Sequence, residues 1–349
     1  MSRVLVATDE PNYSLGLVEG YRHFGWSVIT GVKPFMDMIG DFDVIHHQWP
    51  EEFVGWKAPL PEDVDSVVRR LEFWKGRAKS VFSVNNLYPH DAYGNAQYWA
   101  LYSAFYRFAD LITHFSVASK KLVELEYTDA VGKNHIIHSP PNYAVSLKRQ
   151  TARGSCRRAL GIPVDSFVIL MLGRLRSWEE ARLVKRAFEV ARVPGKHLLI
   201  VGRLSLSKRM CGDFFRRLDW SRWLLWRSTT VEEKYVPEEE LFRFIDSSDV
   251  MVVPRIGGLS SAIPLIAMTF GKMVVAPDCG AYPDYLYGSA NLIYRTGDPE
   301  SLARQLERAF VADCRRIGEE NAAIAREWSW DRICMACLAA LRRDESAEA

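Results

Sequence analysis

Apolar positions along this chain gather in short runs separated by amphipathic stretches. The first run is Val4–Ala7, and helical spacing follows from about Leu15 to Phe24. Asp43–His46, Ser80–Val84 and Leu111–His114 are further runs of strand length. Between them lie helical patterns at Val64–Trp74 and Tyr98–Phe108. The alternation pauses from Ser146 to Arg158, a basic, apolar-poor segment with Lys148, Arg149, Arg153, Arg157 and Arg158, which reads as a solvated connector. It then restarts with Phe167–Leu172, a continuous apolar strand ended by Gly173. Leu183, Val184, Ala187, Phe188 and Ala191 share one helix face. His197–Val201, Trp223–Trp226, Asp249–Val253 and Met273–Ala276 read as strands, and Leu302, Leu306 and Phe310 mark a late helix. Strands alternating with helices predict parallel sheets built from βαβ units.

The chain has 349 residues, enough for two domains. The expected division is an N-terminal Rossmann-like domain at 1–147, a linker at 148–158, a second doubly wound domain at 159–320, and a C-terminal helix at 321–349 packing back toward the first. The formal net charge of +2 gives no bulk argument for a nucleic-acid partner. Met1-Ser2-Arg3 leads straight into a short strand rather than a signal-peptide core, and no apolar run approaches the ~20 residues of a membrane span. A cytoplasmic protein, at most peripheral to a membrane, is expected. Cys334-x-x-Cys337 lies on an amphipathic pattern without a second Cys or His pair, so both read as buried core thiols. No metal-ligand spacing is convincing. Thr8-Asp9-Glu10-Pro11 stands where a dinucleotide-binding Gly-x-Gly-x-x-Gly would follow the first strand.

The most informative stretch runs from Asp249 to Pro277. A strand ends at Pro254, and Gly257-Gly258 permits close backbone approach to a ligand. Ser260 or Ser261 caps the next helix, whose free N–H groups suit a diphosphate. Pro264-Leu-Ile-Ala-Met-Thr-Phe-Gly-Lys-Met-Val-Val-Ala-Pro resembles the donor-binding signature of family-4-type glycosyltransferases. Leu172-Gly173-Arg174-Leu175-Arg176 resembles that family's Gly-Arg-Leu turn, whose Arg contacts the donor diphosphate. Val236-Pro237-Glu238-Glu239-Glu240-Leu241 resembles its segment beside the nucleotide base. Asp249–Pro254 and Gly297–Leu302 resemble two more of its motifs, all in the family's order.

Two departures stand out. The family's paired Glu positions are Gly258 and Ile266 here, and its Lys position is Glu179. Two readings stay open: rearranged donor contacts, with Arg174, Arg176 and the backbone from Gly258 to Ser261 taking the phosphates, or a degraded donor site in a non-catalytic partner.

In the N-terminal half, Asp43-Val-Ile-His46-His47-Gln48-Trp49-Pro50-Glu51-Glu52-Phe53 puts two His and two carboxylates just past a strand and looks like the Asp-Val-x-His-x-x-Trp-Pro-Glu segment of transferases that assemble bacterial exopolysaccharides. Trp49 is a candidate for stacking on a sugar, and Glu51 or His46 for accepting the attacking hydroxyl's proton. Ser83–Asp91 resembles a Val-His-Asn-Leu-x-Pro-His segment with Asn85 in place of the first His; His90 and Asp91 remain as acid/base candidates. His138 and Tyr143 resemble the segment that closes the acceptor domain.

The resemblance implies a GT-B fold, two doubly wound Rossmann-like domains facing across a cleft. It implies transfer of a sugar from a nucleoside-diphosphate sugar to a glycan or polyprenyl-diphosphate-linked acceptor at the inner membrane face, with no cofactor and no metal. Arg69, Arg70, Lys75, Arg77 and Lys79, with Phe73 and Trp74, form a basic run that would touch anionic lipid or simply face solvent. A sugar-nucleotide epimerase of the same fold is a third alternative.

Overall fold

The computed structural model describes residues 1–89, 94–142, 153–202, 219–224, 228–232 and 236–348. The calls on His90, Asp91, Tyr143, Lys148 and Arg149 lie outside them. The chain forms two compact units: Met1–Pro141 with Gly258–Ser260 and Trp328–Ala349, and Asn142–Gly257 with Ser261–Glu327.

The first unit holds a parallel sheet of β1 (Arg3–Ala7), β2 (Ser27–Thr30), β3 (Val44–His47), β4 (Lys79–Ser83), β5 (Leu111–His114) and β6 (His135–Ile137), in the order β2-β1-β3-β4-β5-β6. The second holds β7 (Phe167–Leu172), β8 (Lys196–Val201), β9 (Thr229–Glu232), β10 (Val250–Val252), β11 (Met273–Pro277) and β12 (Leu292–Tyr294), in the order β12-β11-β10-β7-β8-β9. Each order reverses direction beside the unit's first strand. The switch points are therefore β1/β3 and β7/β10, and ligands of open parallel sheets bind beyond the carboxyl ends of strands there.

Central strands are apolar on both faces because helices cover both. One side of the first sheet packs Phe35, Phe53, Trp74, Phe82 and Phe105. The other packs Val4, Val6, Leu17 and Tyr21 against Trp330, Ile333, Cys334 and Cys337. The helices Pro11–His23 and Trp330–Glu348 approach closely because Gly20 has no side chain: a Cβ there would stand 2.7 Å from Cys334 Sγ and 2.9 Å from the Trp330 carbonyl oxygen. Burial raises both thiols of the Cys pair well above the ordinary range.

Two expectations are corrected. Trp223 and Leu224 are not strand: residues 219–224 are helical, and Trp220 and Trp223 stack in the second core. The strand is the less apolar Thr229–Glu232. Nor is Arg157 part of a solvated connector. It lies in the helix Arg153–Ala159, is buried, and donates to the carbonyls of Ser247, Val164 and Ser166 and, at 2.6 Å, to Asp249. The same Asp249 oxygen accepts the Val168 N–H, so the pair ties β7 to the segment entering β10. The basic run 69–79 is also largely committed: Trp74 is buried with its indole N–H on the Phe35 carbonyl, Arg70 bonds Met36 and Ser66, and Lys79 pairs with Asp110. Among the described residues no helix is long and apolar enough to cross a membrane.

Candidate active site

In the second unit, β7 ends at Gly173, whose φ of +90° turns the chain into Arg174. Gly202, after β8, lies against this turn; a Cβ on it would sit 2.6 Å from the Gly173 carbonyl. Ser177 then caps the helix Trp178–Val190 by accepting the Glu180 N–H, which directs Glu180 inward.

Glu180 Oε2 accepts the Arg176 backbone N–H at 2.7 Å and Arg255 Nη1 at 3.0 Å, and the Glu180 and Arg255 side chains are each 5% exposed. Arg255 leaves the end of β10, and its Nη2 lies 4.0 Å from where a Gly173 Cβ would be. Its Nε is buried without a hydrogen-bond partner, and so is the Tyr282 hydroxyl. Burial, then the Arg255 charge, holds the Arg176 guanidinium below its usual range. Burial pushes the Tyr282 phenol up to about 12 against the opposing pull of Arg255 and Arg176. Arg174 is exposed on the same turn. The Arg176 and Arg255 charges thus face one carboxylate at the β7/β10 switch point, with the Arg174 charge acting on Arg176, an excess of positive charge suited to a diphosphate.

Arg255 is the residue that sequence reasoning missed. Its signal was present: a basic residue directly after the Val250–Pro254 run. Glu179, at the family's Lys position, is exposed and pairs with Arg182 at 3.5 Å.

The glycine loop contributes unevenly. Gly257 has open space where a Cβ would be, and Gly258 has φ +106°. Ser261 Oγ accepts the Ile263 N–H at 3.3 Å and caps the helix Ala262–Thr269. Ser260 groups with the first unit and donates its hydroxyl to the Asn85 carbonyl at 2.9 Å, so that hydrogen is not available to a phosphate. Ile266 is partly buried within the helix. Val236 and Pro237 lead extended into the helix Glu238–Ser247, with Pro237 at its N-cap.

In the first unit the expectation for His46 is corrected. His46 is fully buried, its Nδ1 bonded to the Tyr21 hydroxyl at 2.9 Å and its Nε2 to Ser83 Oγ at 2.7 Å. Ser83 continues to Thr113 on β5. No ring nitrogen is left for a substrate proton, and burial lowers the ring to about 3. Glu51 turns toward the helix Ala96–Phe108 and accepts the Tyr102 hydroxyl at 2.7 Å; burial raises its carboxyl. Trp49 is half-buried and tilted against the exposed Trp56 at 6.5 Å. His138 bonds the Ser139 carbonyl through Nδ1, while Nε2 is buried without a partner.

Residues 166–311 match the family described as glycosyl transferases group 1. A D-inositol 3-phosphate glycosyltransferase of Corynebacterium aurimucosum is 25% identical over 307 residues, 83% of this chain and 69% of that protein. The chain spans about half the length of mycobacterial proteins of that name that it also matches (52% and 48%). Sucrose-phosphate synthase from Thermosynechococcus elongatus superposes with a TM-score of 0.72 at 16% identity over 100% of both chains. Anabaena HepE, solved with UDP and glucose, superposes at 0.70 and 13% identity over 98% of this chain and 100% of its own. Such low identities speak for the fold alone, and the family match is confined to residues 166–311. Residues 166–311 match a group 1 glycosyl transferase domain, and the chain as a whole has the GT-B fold.

Proposed function

We propose that the protein moves a sugar from a nucleoside-diphosphate sugar, held in the second unit, to a hydroxyl of a glycan or lipid-linked oligosaccharide acceptor. One observation carries this: Arg176 and Arg255 beside Glu180, with Arg174 next to Arg176 and the Arg255 Nε buried without a hydrogen-bond partner. As the anomeric carbon–oxygen bond breaks, negative charge develops on the departing diphosphate. Preorganised guanidinium and N–H donors stabilise that charge without reorganising. The N–H groups opening the helix Ala262–Thr269 add their dipole to the same end. HepE was solved with UDP and with UDP-glucose, which makes uracil the first base to try.

A role in exopolysaccharide assembly at the inner membrane face is supported by the Asp43–Glu51 resemblance. Gly258, Ile266 and Glu179 favour the second reading, a nucleotide-binding partner without turnover. Calorimetry with UDP, beside nucleoside-diphosphate release from UDP-glucose, decides between them. Binding with turnover supports the enzyme, binding without turnover the partner subunit, and no binding of any nucleoside diphosphate refutes both. Arg174→Ala is expected to weaken UDP binding about tenfold or more.

A further inference from the structure

We propose that the first unit carries a subsite for one pyranose ring of a neutral glycan, floored by Trp99 and edged by Tyr88, Asn95 and Glu126. The inference deepens the transferase reading above by giving its acceptor a sugar chain, while the binding itself needs no donor.

The site is built on Tyr127. This residue follows the helix Val117–Glu126, is fully buried, and donates its hydroxyl to the Leu87 carbonyl at 2.8 Å. Residues 99 and 102 lie three apart on the helix Ala96–Phe108 and so share a face. Both their rings stack nearly parallel to Tyr127, Tyr102 at 6.2 Å and 19° and Trp99 at 6.1 Å and 17°. Tyr88 tilts against the same ring at 6.0 Å. Tyr102 is buried, whereas Trp99, nearer the helix start, is 41% exposed. The indole is thus held by a buried ring and still open to solvent.

Trp99 lines a cavity of about 380 Å³ with Tyr88, Gly94, Asn95, Ala96 and Glu126, all in the first unit. That volume lies in the range of small-molecule sites. Gly94, with φ +80°, adds no side chain to fill it. The polar lining is uncommitted. Asn95 Oδ1 caps the helix by accepting the Gln97 N–H at 2.9 Å and the Tyr98 N–H at 3.3 Å, which fixes the amide. The two hydrogens on its nitrogen have no partner among the described residues, and neither has the half-buried Glu126 carboxylate.

An aromatic face beside a spare donor and a spare acceptor fits a sugar. The C–H groups on one side of a pyranose are apolar and pack on the indole. Its hydroxyls are donors and acceptors at once, so one accepts from Asn95 and another donates to Glu126. The bond to the carboxylate is charge-assisted and therefore the stronger of the two. An ammonium group would also be drawn to Trp99, Tyr88 and Glu126. It would then face the amide hydrogens of Asn95, which repel a cation, so the mixed lining selects a neutral ring.

The test titrates the full chain by calorimetry with maltotriose, cellotriose, mannotriose and galactotriose, each to about 20 mM, without nucleotide. At least one is expected to bind with a Kd on the order of 1 mM. Trp99→Ala is expected to weaken that binding about tenfold, and Trp99→Phe, which keeps a stacking ring, to stay within about threefold of wild type. Glu126→Gln is expected to weaken it about tenfold by removing the charge from the hydrogen bond. Because Glu126 has no protein partner, that variant tests the site even where Trp99→Ala lowers the melting temperature. Failure of all four sugars to bind overturns the subsite, as does binding by Trp99→Ala or Glu126→Gln within twofold of wild type. Choline chloride bound in preference to every sugar overturns it too. UDP is titrated on the same preparation. UDP bound without any trisaccharide overturns the subsite and leaves the donor site standing; a trisaccharide bound without UDP supports the subsite and counts against the donor site.

Discussion

Replacing Arg255 by Met separates what that side chain does for the fold from what it does for a ligand. In the wild type Arg255 Nη1 and Glu180 Oε2 stand 3.0 Å apart, with each side chain 5% exposed. Removing the guanidinium leaves the carboxylate buried, retaining only the Arg176 N–H of its two donors. Breaking a buried pair on one side costs roughly 3–5 kcal/mol. For a unit of this size that lowers the melting temperature by about 6–15 °C. Arg255→Met with Glu180→Gln removes both charges while the Gln oxygen still accepts the Arg176 N–H, and replacing a whole buried pair is near neutral. The double variant is therefore expected to regain most of the lost stability. UDP binding should behave differently. A charge-assisted hydrogen bond is worth about 1.5–3 kcal/mol, or roughly 10- to 100-fold in Kd, and no change at Glu180 restores it. Calorimetry on both variants, with thermal unfolding alongside, reads the two effects separately. Double-variant binding within twofold of wild type refutes the assignment of Arg255 to the donor site, and a double variant no more stable than Arg255→Met refutes the buried-pair account.

Three further outcomes follow from the packing and the titrations. Burial lowers His46, His47 and His114 from 6.5 to about 3, so each contributes stability present above pH 6.5 and lost as pH falls toward 3, about 1.4 kcal/mol per pH unit per ring. Glu52, raised from 4.5 to about 7, works oppositely: its contribution is full below 4.5 and lost as pH rises through 7. The three rings outweigh the one carboxyl, so urea midpoints should fall steeply between pH 6 and 4.5; a flat profile there contradicts the burial of these rings. Gly20→Ala gains up to ~1 kcal/mol of helix propensity but forces a methyl within 2.9 Å of the Trp330 carbonyl oxygen, a clash of about 1–3 kcal/mol, so a lower melting temperature is expected. Gly202→Ala meets the Gly173 carbonyl at 2.6 Å from a backbone with φ +137°, which should displace the Arg174 turn and weaken UDP binding; unchanged affinity argues against that turn as the phosphate site.

How much of the fold was legible depended on where each strand sits. Central strands such as Phe167–Leu172, between β10 and β8, are apolar on both faces and read as unbroken runs, while β3, β4 and β5 were read despite His, Ser and Thr within them. Val250–Val252 was read one residue too long at each end, and Val44–His47 and Lys79–Ser83 were read shifted by one residue. Ser27–Thr30, His135–Ile137, Thr229–Glu232 and Leu292–Tyr294 were not read at all, and these four are the sheet edges. Edge strands are short and half-exposed, so they carry neither a continuous apolar run nor a clean alternation. The run beginning Trp223-Leu224 drew a strand assignment to the end of a helix because an apolar run alone does not distinguish the two.

The sites follow a related logic. Arg174 was legible because the turn that holds it is a contiguous motif after one strand. Arg255 was not, because its partner Glu180 lies far along the chain. Parallel topology places sequence-distant strand ends side by side at the switch point, and no local pattern records which ends will meet. His46 shows the converse: it sits in a well-marked motif after Asp43, yet the register of β3 with β4 and the packing of Tyr21 commit both its nitrogens to the interior. Motif position therefore marks the end of the sheet at the switch point, whereas the hydrogen bonds each buried side chain makes decide whether it has one left to give.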